Sequence, residues 1–463
     1  MSQKNETTIL ILALVITIGL LVTGFWVFNR VINPQKTQPL PPFTGRLEKR
    51  ISLGNKILVN QDRNPNKEAG VTAFAKGDFS TAISQLESSL RKKRNDPEAW
   101  IYFNNAKATQ NNPLKIGVSV PIGGNLNIAK EILRGVAQAQ DETNNSGGIN
   151  GMPLQVEIAN DDNDPSIVKK IADKWVKDTK ILAVVGHNTS DASLAGAPIY
   201  QQGNLVMISP TSNAKKLSGI GSYIFRTIPS ISSEAEVLAR YALKTNRLSK
   251  LAICADSQAK ASQSFKEEFI AKFDNEGGEI SQIACDFSEP NFNASAVISQ
   301  AVSDGAEGLV LAASVDKIKR SLDISISNKG RLSLMGNSTL YTIDTLKFGQ
   351  ADANEMVLAA PWHPQAIPDN PFPKNARNYW GGDVNWRSAL AYDATQAIIA
   401  GLNQDNTRQG LRKALSSSQF SANGATGKIQ FLPSGDRNAS SILVKIQPGQ
   451  SSGTGYDFAP LPQ

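Results

Sequence analysis

Two successive series of apolar strand-length runs and helical patterns bound what this chain can become. From residue 114 the sequence gives LKIGVSV, then a helical pattern from Ile128 to Glu142 with Ile132, Leu133, Val136 and Ala139 on one face. LQVEIA, a helical stretch over residues 167–176, ILAVVG, a helical stretch near 192–201 and LVMIS follow. A second series starts at Leu251 with LAICAD, a helix from Ser262 to Phe273, EISQIACDF, a helix through Ala294 to Val302, GLVLAAS, a helix to Ile326, and LSLMG. Strands that are apolar throughout need cover on both faces, so each series predicts a parallel sheet between helices.

The two series are linked by SYIFRTIPS (222–230), an extended apolar crossing. The chain returns near MVLAAPW (356–362), adds a helix in WRSALAYDATQAIIAGL (386–402), and ends with strands in GKIQFLP and SILVKI. The expected fold is α/β, with two doubly wound parallel-sheet lobes joined by a multi-strand hinge. Lobe one covers about 113–227 and lobe two about 228–356, each completed from 357–463. Lobes with several crossings are built to hinge, and a ligand belongs in the cleft between them.

The turn-rich stretch NNSGGINGMPLQVEIANDDNDP (144–165) fits this frame. Gly147 and Gly148 end the first long helix, where glycine enters the left-handed region cheaply. Asn150-Gly151 is a second turn before the strand. Asp164 is the expected N-cap of the next helix, with Pro165 in its first turn. Asp161, Asp162 and Asp164 lack the ligand spacing and bidentate Glu of a calcium loop, so capping and strand-end solvation are expected of them.

The N-terminal part is different. Thr7 to Phe28 carries no charge, and as a helix would cover about 33 Å at ~1.5 Å per residue, enough to cross a bilayer. Trp26 and Phe28 fit an interfacial belt. A transmembrane anchor over 1–32 is expected, the alternative being a cleaved secretory signal, for which no A-x-A site follows. Lys4 precedes the span while Arg30, Lys36 and Arg46 follow it, a bias that by itself would keep the body cytoplasmic. Residues 33–66 begin with the Pro-rich NPQKTQPLPPFT and form a linker. Residues 67–112 give two short amphipathic helices about Gly77-Asp78, similar to one tetratricopeptide repeat, with Trp100 where a next repeat would start. One repeat makes no solenoid, so a hairpin packed on its neighbour is expected, or else a protein-docking element.

Charge excludes some functions. The first 112 residues carry 15 Lys and Arg against 8 Asp and Glu, and the remainder 33 against 33. The large C-terminal part therefore has no basic field to suit nucleic acid. Two histidines, His187 and His363, cannot build a His-rich metal site, and no Walker loop or G-x-G-x-x-G fingerprint occurs. His187 beside Ser190 and Asp191 lies on one loop, which does not give triad geometry. No enzyme, cofactor, metal or nucleic-acid partner is expected. Cys254 and Cys285 are the only cysteines. Two buried thiols in neighbouring strands are expected, with one disulfide as the alternative.

KIGVSVPIGG, GGINGMPLQV, DDNDP, AVVGHNTSDAS, LVMISPTSNAKKL, FRTIPS, FNASAVISQ, ALAYDATQAI and GATGKIQF occur in that order across residues 113–447. Together they resemble the type I periplasmic substrate-binding proteins of the leucine/isoleucine/valine class, receptors for ABC importers of amino acids and amides. The resemblance implies a body outside the bacterial inner membrane, held by a single-pass anchor, that closes two lobes on a small polar solute. It also implies ligand contacts in two loops. Ser190 in GHNTSDAS matches a hydroxyl that holds ligand carboxylate. Thr211, Ser212 and Asn213 in SPTSN stand where carboxylate and amine are contacted. Helix capping is the plain alternative for such residues. Asn125 in GGNLN is a further candidate for the cleft wall.

In lobe two the pattern changes. Lys260 and Ser314 replace aromatic residues of the class, and Ser338 or Asn337 replaces the acid that pairs with a ligand ammonium. A buried ammonium without a carboxylate partner is costly, so the expectation shifts to a more anionic ligand or one lacking an amine. Trp362 and Trp386 are expected in the core. The expected function is ligand capture for an ABC permease. The rival is a sensory or scaffold protein with a degenerate cleft, acting through protein partners.

Overall fold

The computed structural model describes residues 47–462. The apolar span at residues 7–28 and the Pro-rich run at 33–44 lie outside the described residues, among which no helix is long and apolar enough to cross a membrane. Residues 50–463 form one compact unit.

The first series of strands makes one sheet from β1 (Ile51–Ser52), β2 (Leu114–Val120), β3 (Leu154–Asn160), β4 (Ile181–Val185), β5 (Val206–Ser209) and β6 (Ile224–Arg226), in the order β1-β3-β2-β4-β5-β6. All pairings are parallel except that of β1, which runs antiparallel to β3 with Ile51 opposite Ala159. Helices Leu126–Asn145 and Trp386–Gln404 pack together in this lobe. Gly135 sets their spacing, because a Cβ there would stand 2.1 Å from the Ser388 carbonyl oxygen.

The second sheet contains β7 (Lys250–Ala255), β8 (Glu279–Ile280), β9 (Gly308–Ala312), β10 (Ser333–Gly336) and β11 (Val357–Ala360), parallel to one another. The short ribbon of β12 (Ala422–Gly424) and β13 (Gly427–Ile429) stands apart from both sheets. β14 (Ile442–Pro448) and β15 (Tyr456–Pro460) extend the second sheet antiparallel, giving the order β15-β14-β11-β10-β9-β7-β8. The chain passes between the lobes three times: after β6, after β11 and between β13 and β14.

These crossings are laced together. The Arg226 guanidinium holds the Asp436 carboxylate, with Nε at 2.7 Å, and donates through a second nitrogen to the Ala214 carbonyl at 2.9 Å. The Thr227 hydroxyl donates to the Leu390 carbonyl at 2.9 Å. Arg226 and Asp436 thus tie the first passage to the third at one waist, and Thr227 fastens the first to the lobe-one helix that follows the second.

Four expectations change. Residues 50–64, assigned to a linker, are built into lobe one. β1 extends the sheet there, and Arg50 donates to the Asp162 carboxylate at 2.5 Å. The next 44 or so residues form helices Pro65–Ala75, Phe79–Lys92 and Pro97–Ala108. The third is fixed to the outer edge of β3 by Asn105, whose amide exchanges bonds with the Val156 backbone at 2.8 and 2.9 Å. Lys67 is fully buried between Asp96 and Glu98, at 2.8 Å from each.

Cys254 and Cys285 are bonded as a disulfide, not held as two thiols, with their Cα atoms 4.7 Å apart. EISQIACDF is not one strand. It pairs at Glu279–Ile280, loses the ladder, and regains it as a bridge between Asp286 and Ala255. Finally, Asp161 is fully buried rather than solvated, because it binds the His187 ring. Asp164 does cap helix Pro165–Lys177 through the Ser166 nitrogen at 2.7 Å. Gly449–Gly453 has the glycine–serine spacing of a nucleophile elbow, but it lies in the β14–β15 turn, where Ser451 and Ser452 backbone nitrogens donate to Asp457.

Candidate functional site

The C-terminal ends of β2, β4 and β5 deliver three loops to the same edge of lobe one, the place where parallel sheets present ligand sites. The loop after β4 is anchored by His187. Its Nδ1 stands 2.7 Å from Asp161 Oδ2 and its Nε2 is 3.1 Å from the Tyr200 hydroxyl. Ser119 donates to the same Asp161 oxygen at 2.8 Å. With both ring nitrogens engaged by buried groups, His187 is a structural post.

Its carbonyl gathers the loop after β5. The hydroxyls of Ser209 and Ser212 donate to the His187 oxygen at 2.8 and 3.1 Å. Thr211 donates to the Asn188 carbonyl at 2.7 Å. Ser190 Oγ accepts from the Ala214 nitrogen at 3.1 Å, and Thr189, not Ser190, caps helix Ser190–Gln202. Ser190, Thr211, Ser212 and Asn213 are therefore brought together in one wall. Asn125 stands apart on the loop after β2, where its side chain caps helix Leu126–Asn145 through the Ile128 nitrogen at 3.1 Å.

Lobe two meets this wall directly. Asn213 Nδ2 donates to Glu234 Oε2 at 2.6 Å, and the Ser338 backbone nitrogen donates to Glu234 Oε1 at 2.5 Å. Glu234 lies in the first turn of helix Ile231–Arg240, just past the first crossing. It is buried, and burial pushes its carboxyl up to about 7 despite those donors. No salt bridge reaches it among the described residues, although Ser338, with a smaller side chain, occupies the position where an acid was sought. The Lys260 backbone nitrogen donates to Asp191 Oδ2 at 3.1 Å across the lobes, while the Lys260 residue is only half-buried. Ser314 faces inward within lobe two, donating to Asp256 Oδ2 at 2.5 Å.

Glu234 is the residue that sequence reasoning missed. In SISSEAE an acid after a serine N-cap looks like ordinary helix-start chemistry, and its burial follows only from the docking of the lobes. Trp362 and Trp386 are core residues as expected, each 2% exposed.

A cavity of about 610 Å³ opens farther along the lobe boundary, lined by Asn127, Glu131, Tyr341, His363, Trp380 and Phe458 among others. None of the eight residues proposed from sequence lines it. Near it Arg387 is fully buried, stacked 4.2 Å over the Trp386 ring, and donates to the Tyr341 carbonyl at 3.0 Å. Burial lowers its pKa to about 10. Among the described residues no group of three or more His, Cys, Asp or Glu side chains is placed to hold a metal ion.

A profile of the periplasmic binding protein family matches residues 113–449. The chain belongs to that family. Its two lobes have the type I periplasmic binding protein fold. The leucine-binding protein LivK of Thermotoga maritima superposes with a TM-score of 0.66 at 19% identity, over 75% of this chain and 97% of that one. A solute-binding protein of an ABC transporter from R. palustris, solved with benzoate, superposes with a TM-score of 0.64 at 16% identity, over 75% and 96%. The Leu/Ile/Val-binding protein BraC3 of Rhizobium johnstonii is 31% identical over 148 residues, which are 32% of this chain and 40% of that protein. The chain spans about two-fifths of the length of the first curated relatives it matches. These relatives are named as binding proteins.

Proposed function

We propose that this protein is a solute-binding receptor whose two lobes close on a small polar ligand, an amino acid, an amide or a related small acid, on behalf of an ABC importer. One observation carries this most. The loops that present Ser190, Thr211, Ser212 and Asn213 are the same loops that touch lobe two, through Asn213–Glu234 and Asp191–Lys260. Hydroxyls, amides and the N-terminus of helix Ser190–Gln202 thus converge where closure occurs, which suits a carboxylate. The relatives fit the range of ligands: one is named for leucine, isoleucine and valine, and a structural neighbour was solved with benzoate. The apolar run at residues 7–28 would hold the body to the inner membrane on its outer side. The disulfide accords with that oxidising location.

A second reading has an observation of its own. The hydroxyls of Thr211 and Ser212 and the amide of Asn213 bond within the protein. A cleft satisfied in this way also suits a sensory or scaffold protein that works through partners, with helices Pro65–Ala75, Phe79–Lys92 and Pro97–Ala108 as a docking surface.

A thermal-shift screen against amino acids, amides, urea, benzoates and small dicarboxylates separates the two. Saturable stabilisation by one compound, weakened in Ser190→Ala, supports capture. No response across the panel, together with tight recovery of a permease-independent protein partner, supports scaffolding.

A further inference from the structure

We infer that the basic patch built around residues 91–94 is a docking surface for a bilayer that carries anionic phosphate headgroups. Through it the N-terminal helices and the adjoining rim of lobe one lie against the membrane. The inference rests on the anchored reading of residues 7–28 and makes no use of the ligand cleft.

Residues 91–94 read RKKR, and all four are exposed. Arg91 and Lys92 end helix Phe79–Lys92, where cations suit the helix dipole. Lys93 and Arg94 lie past the helix, and the dipole gives no reason for them. Two more cations join from lobe one. Lys93 and Lys130 both reach the Asp62 carboxylate, at 2.6 and 2.8 Å, and Arg134 Nε donates to the Asn95 side-chain oxygen at 2.9 Å. These six cations meet three carboxylates: Glu87 beside Arg91, the shared Asp62, and Glu131 beside Arg134. Lys92 donates to the neutral Asn66 side chain at 2.7 Å, and Arg94 is engaged only through its carbonyl, by Trp100 Nε1 at 3.0 Å. Six against three leaves an excess of three positive charges at the surface. The excess is two once the buried Lys67 is counted with Asp96 and Glu98, while the nearby Arg63–Glu68 pair cancels.

Magnitudes decide what such a patch can do. Each Lys or Arg close to an anionic bilayer strengthens binding by about fivefold, so two or three uncompensated cations give roughly 30- to 150-fold. That is too little to recruit a free protein. It suffices for a tethered one, whose second contact is made at an effective concentration near the millimolar range. The tether fits. Segment 50–64, which carries Asp62, is also where the chain enters lobe one through Arg50. Residues 29–49 would reach about 65 Å from the apolar run at ~3.1 Å per residue, long enough to bring the patch to the surface and short enough to keep it close. Beyond residue 112 the chain has no net charge to compete, with 33 Lys and Arg against 33 Asp and Glu.

The test uses the full chain in nanodiscs of phosphatidylcholine, alone or with about 30% phosphatidylglycerol. It reads trypsin cleavage at residues 91–94 against cleavage at Lys329, an exposed site in lobe two. We expect the ratio to fall at least fivefold on the anionic discs at low salt, and the difference to vanish at about 500 mM salt, where surface attraction is screened. In the triple variant Arg91→Gln, Lys92→Gln, Arg94→Gln, cleavage after Lys93 should not depend on the lipid. Equal ratios in the two discs overturn the inference, as does protection that persists in the variant or at high salt. Soluble polyglutamate that protects the parent in phosphatidylcholine discs as well as anionic lipid does would assign the patch to an acidic protein partner, and also overturns it. If the variant does not fold, the lipid and salt comparison on the parent decides. A chain that elutes apart from the discs removes the anchor, and this inference falls with it; equal cleavage in loaded discs leaves the anchor standing. None of these results bears on ligand capture.

Discussion

Asp191 in lobe one caps a helix in lobe two: its Oδ2 lies 3.1 Å from the backbone nitrogen of Lys260, the first residue of helix Lys260–Asn275. The helix has no side-chain cap of its own, because Ala259 stands at the N-cap. A missing cap is therefore supplied by the opposite lobe, and only while the lobes touch. Asp191→Ala should cost the closed form about 1 kcal/mol, the usual worth of a cap. Small-angle scattering should show a larger radius of gyration for the variant, with Asp191→Asn intermediate. Scattering and melting curves that match the parent would mean the contact does not hold the lobes.

The waist should be far less tolerant. Arg226 and Asp436 are both nearly inaccessible, and the pair joins the first passage between lobes to the third. Arg226→Met leaves a buried carboxylate unpaired and should destabilise by roughly 3–5 kcal/mol. Replacing both residues, Arg226→Met with Asp436→Leu, should recover a large part of that loss. Denaturant melts of the singles and the double give the coupling, and strictly additive losses would refute it.

Proton linkage offers a third measurement. Burial raises Glu234 to about 7 from 4.5 and Asp393 to about 6 from 3.8. A raised acid binds its proton more tightly when folded. Its stabilising contribution is complete below the unfolded pKa and is lost as pH rises through the folded one. At ~1.4 kcal/mol per unit, each group should withdraw on the order of 3 kcal/mol between about pH 4 and 8. His363 acts in the opposite direction, since burial lowers its pKa and it gains stability as it loses its proton. The difference between parent and Glu234→Gln isolates one group: the variant's melting temperature should fall less between pH 5 and 8 in the absence of ligand. Parallel curves would show that Glu234 is not buried in solution.

The disulfide closes a loop of 31 residues in sequence separation. Chain-entropy arguments give such a closure about 3–4 kcal/mol. Thiol titration of the unfolded protein should find no free thiol before reduction and two after it. Reduction, or Cys285→Ser, should lower the melting temperature by several degrees. Two titratable thiols in protein secreted to an oxidising compartment would contradict the bond.

What the sequence revealed divides along physical lines. Period and turn chemistry are local, so the parallel strands, the long helices, the Gly147-Gly148 exit and the Asp164 cap were legible. The two-residue β1 was not, since Ile51–Ser52 carries no period and becomes a strand only by lying against β3. β15 was missed for a similar reason: Tyr456–Pro460 is only half-buried and ends in proline. The disulfide required Cα separation, which sequence does not contain. At the site, Ser190 and Thr211 could be found because hydroxyls cluster after strands. Glu234 could not, because its meaning lies in Asn213 and Ser338, 21 and 104 residues away.

Arg50 grips Asp162, and Asp162 in turn accepts from the Gly123 nitrogen at 2.8 Å, in the loop that continues to Asn125. Any tension arriving along the polypeptide ahead of residue 50 therefore enters at the rim of lobe one, next to the mouth, and bypasses lobe two. In a tethered receptor, that would leave lobe two as the member free to swing, and lobe one as the footing against which it moves.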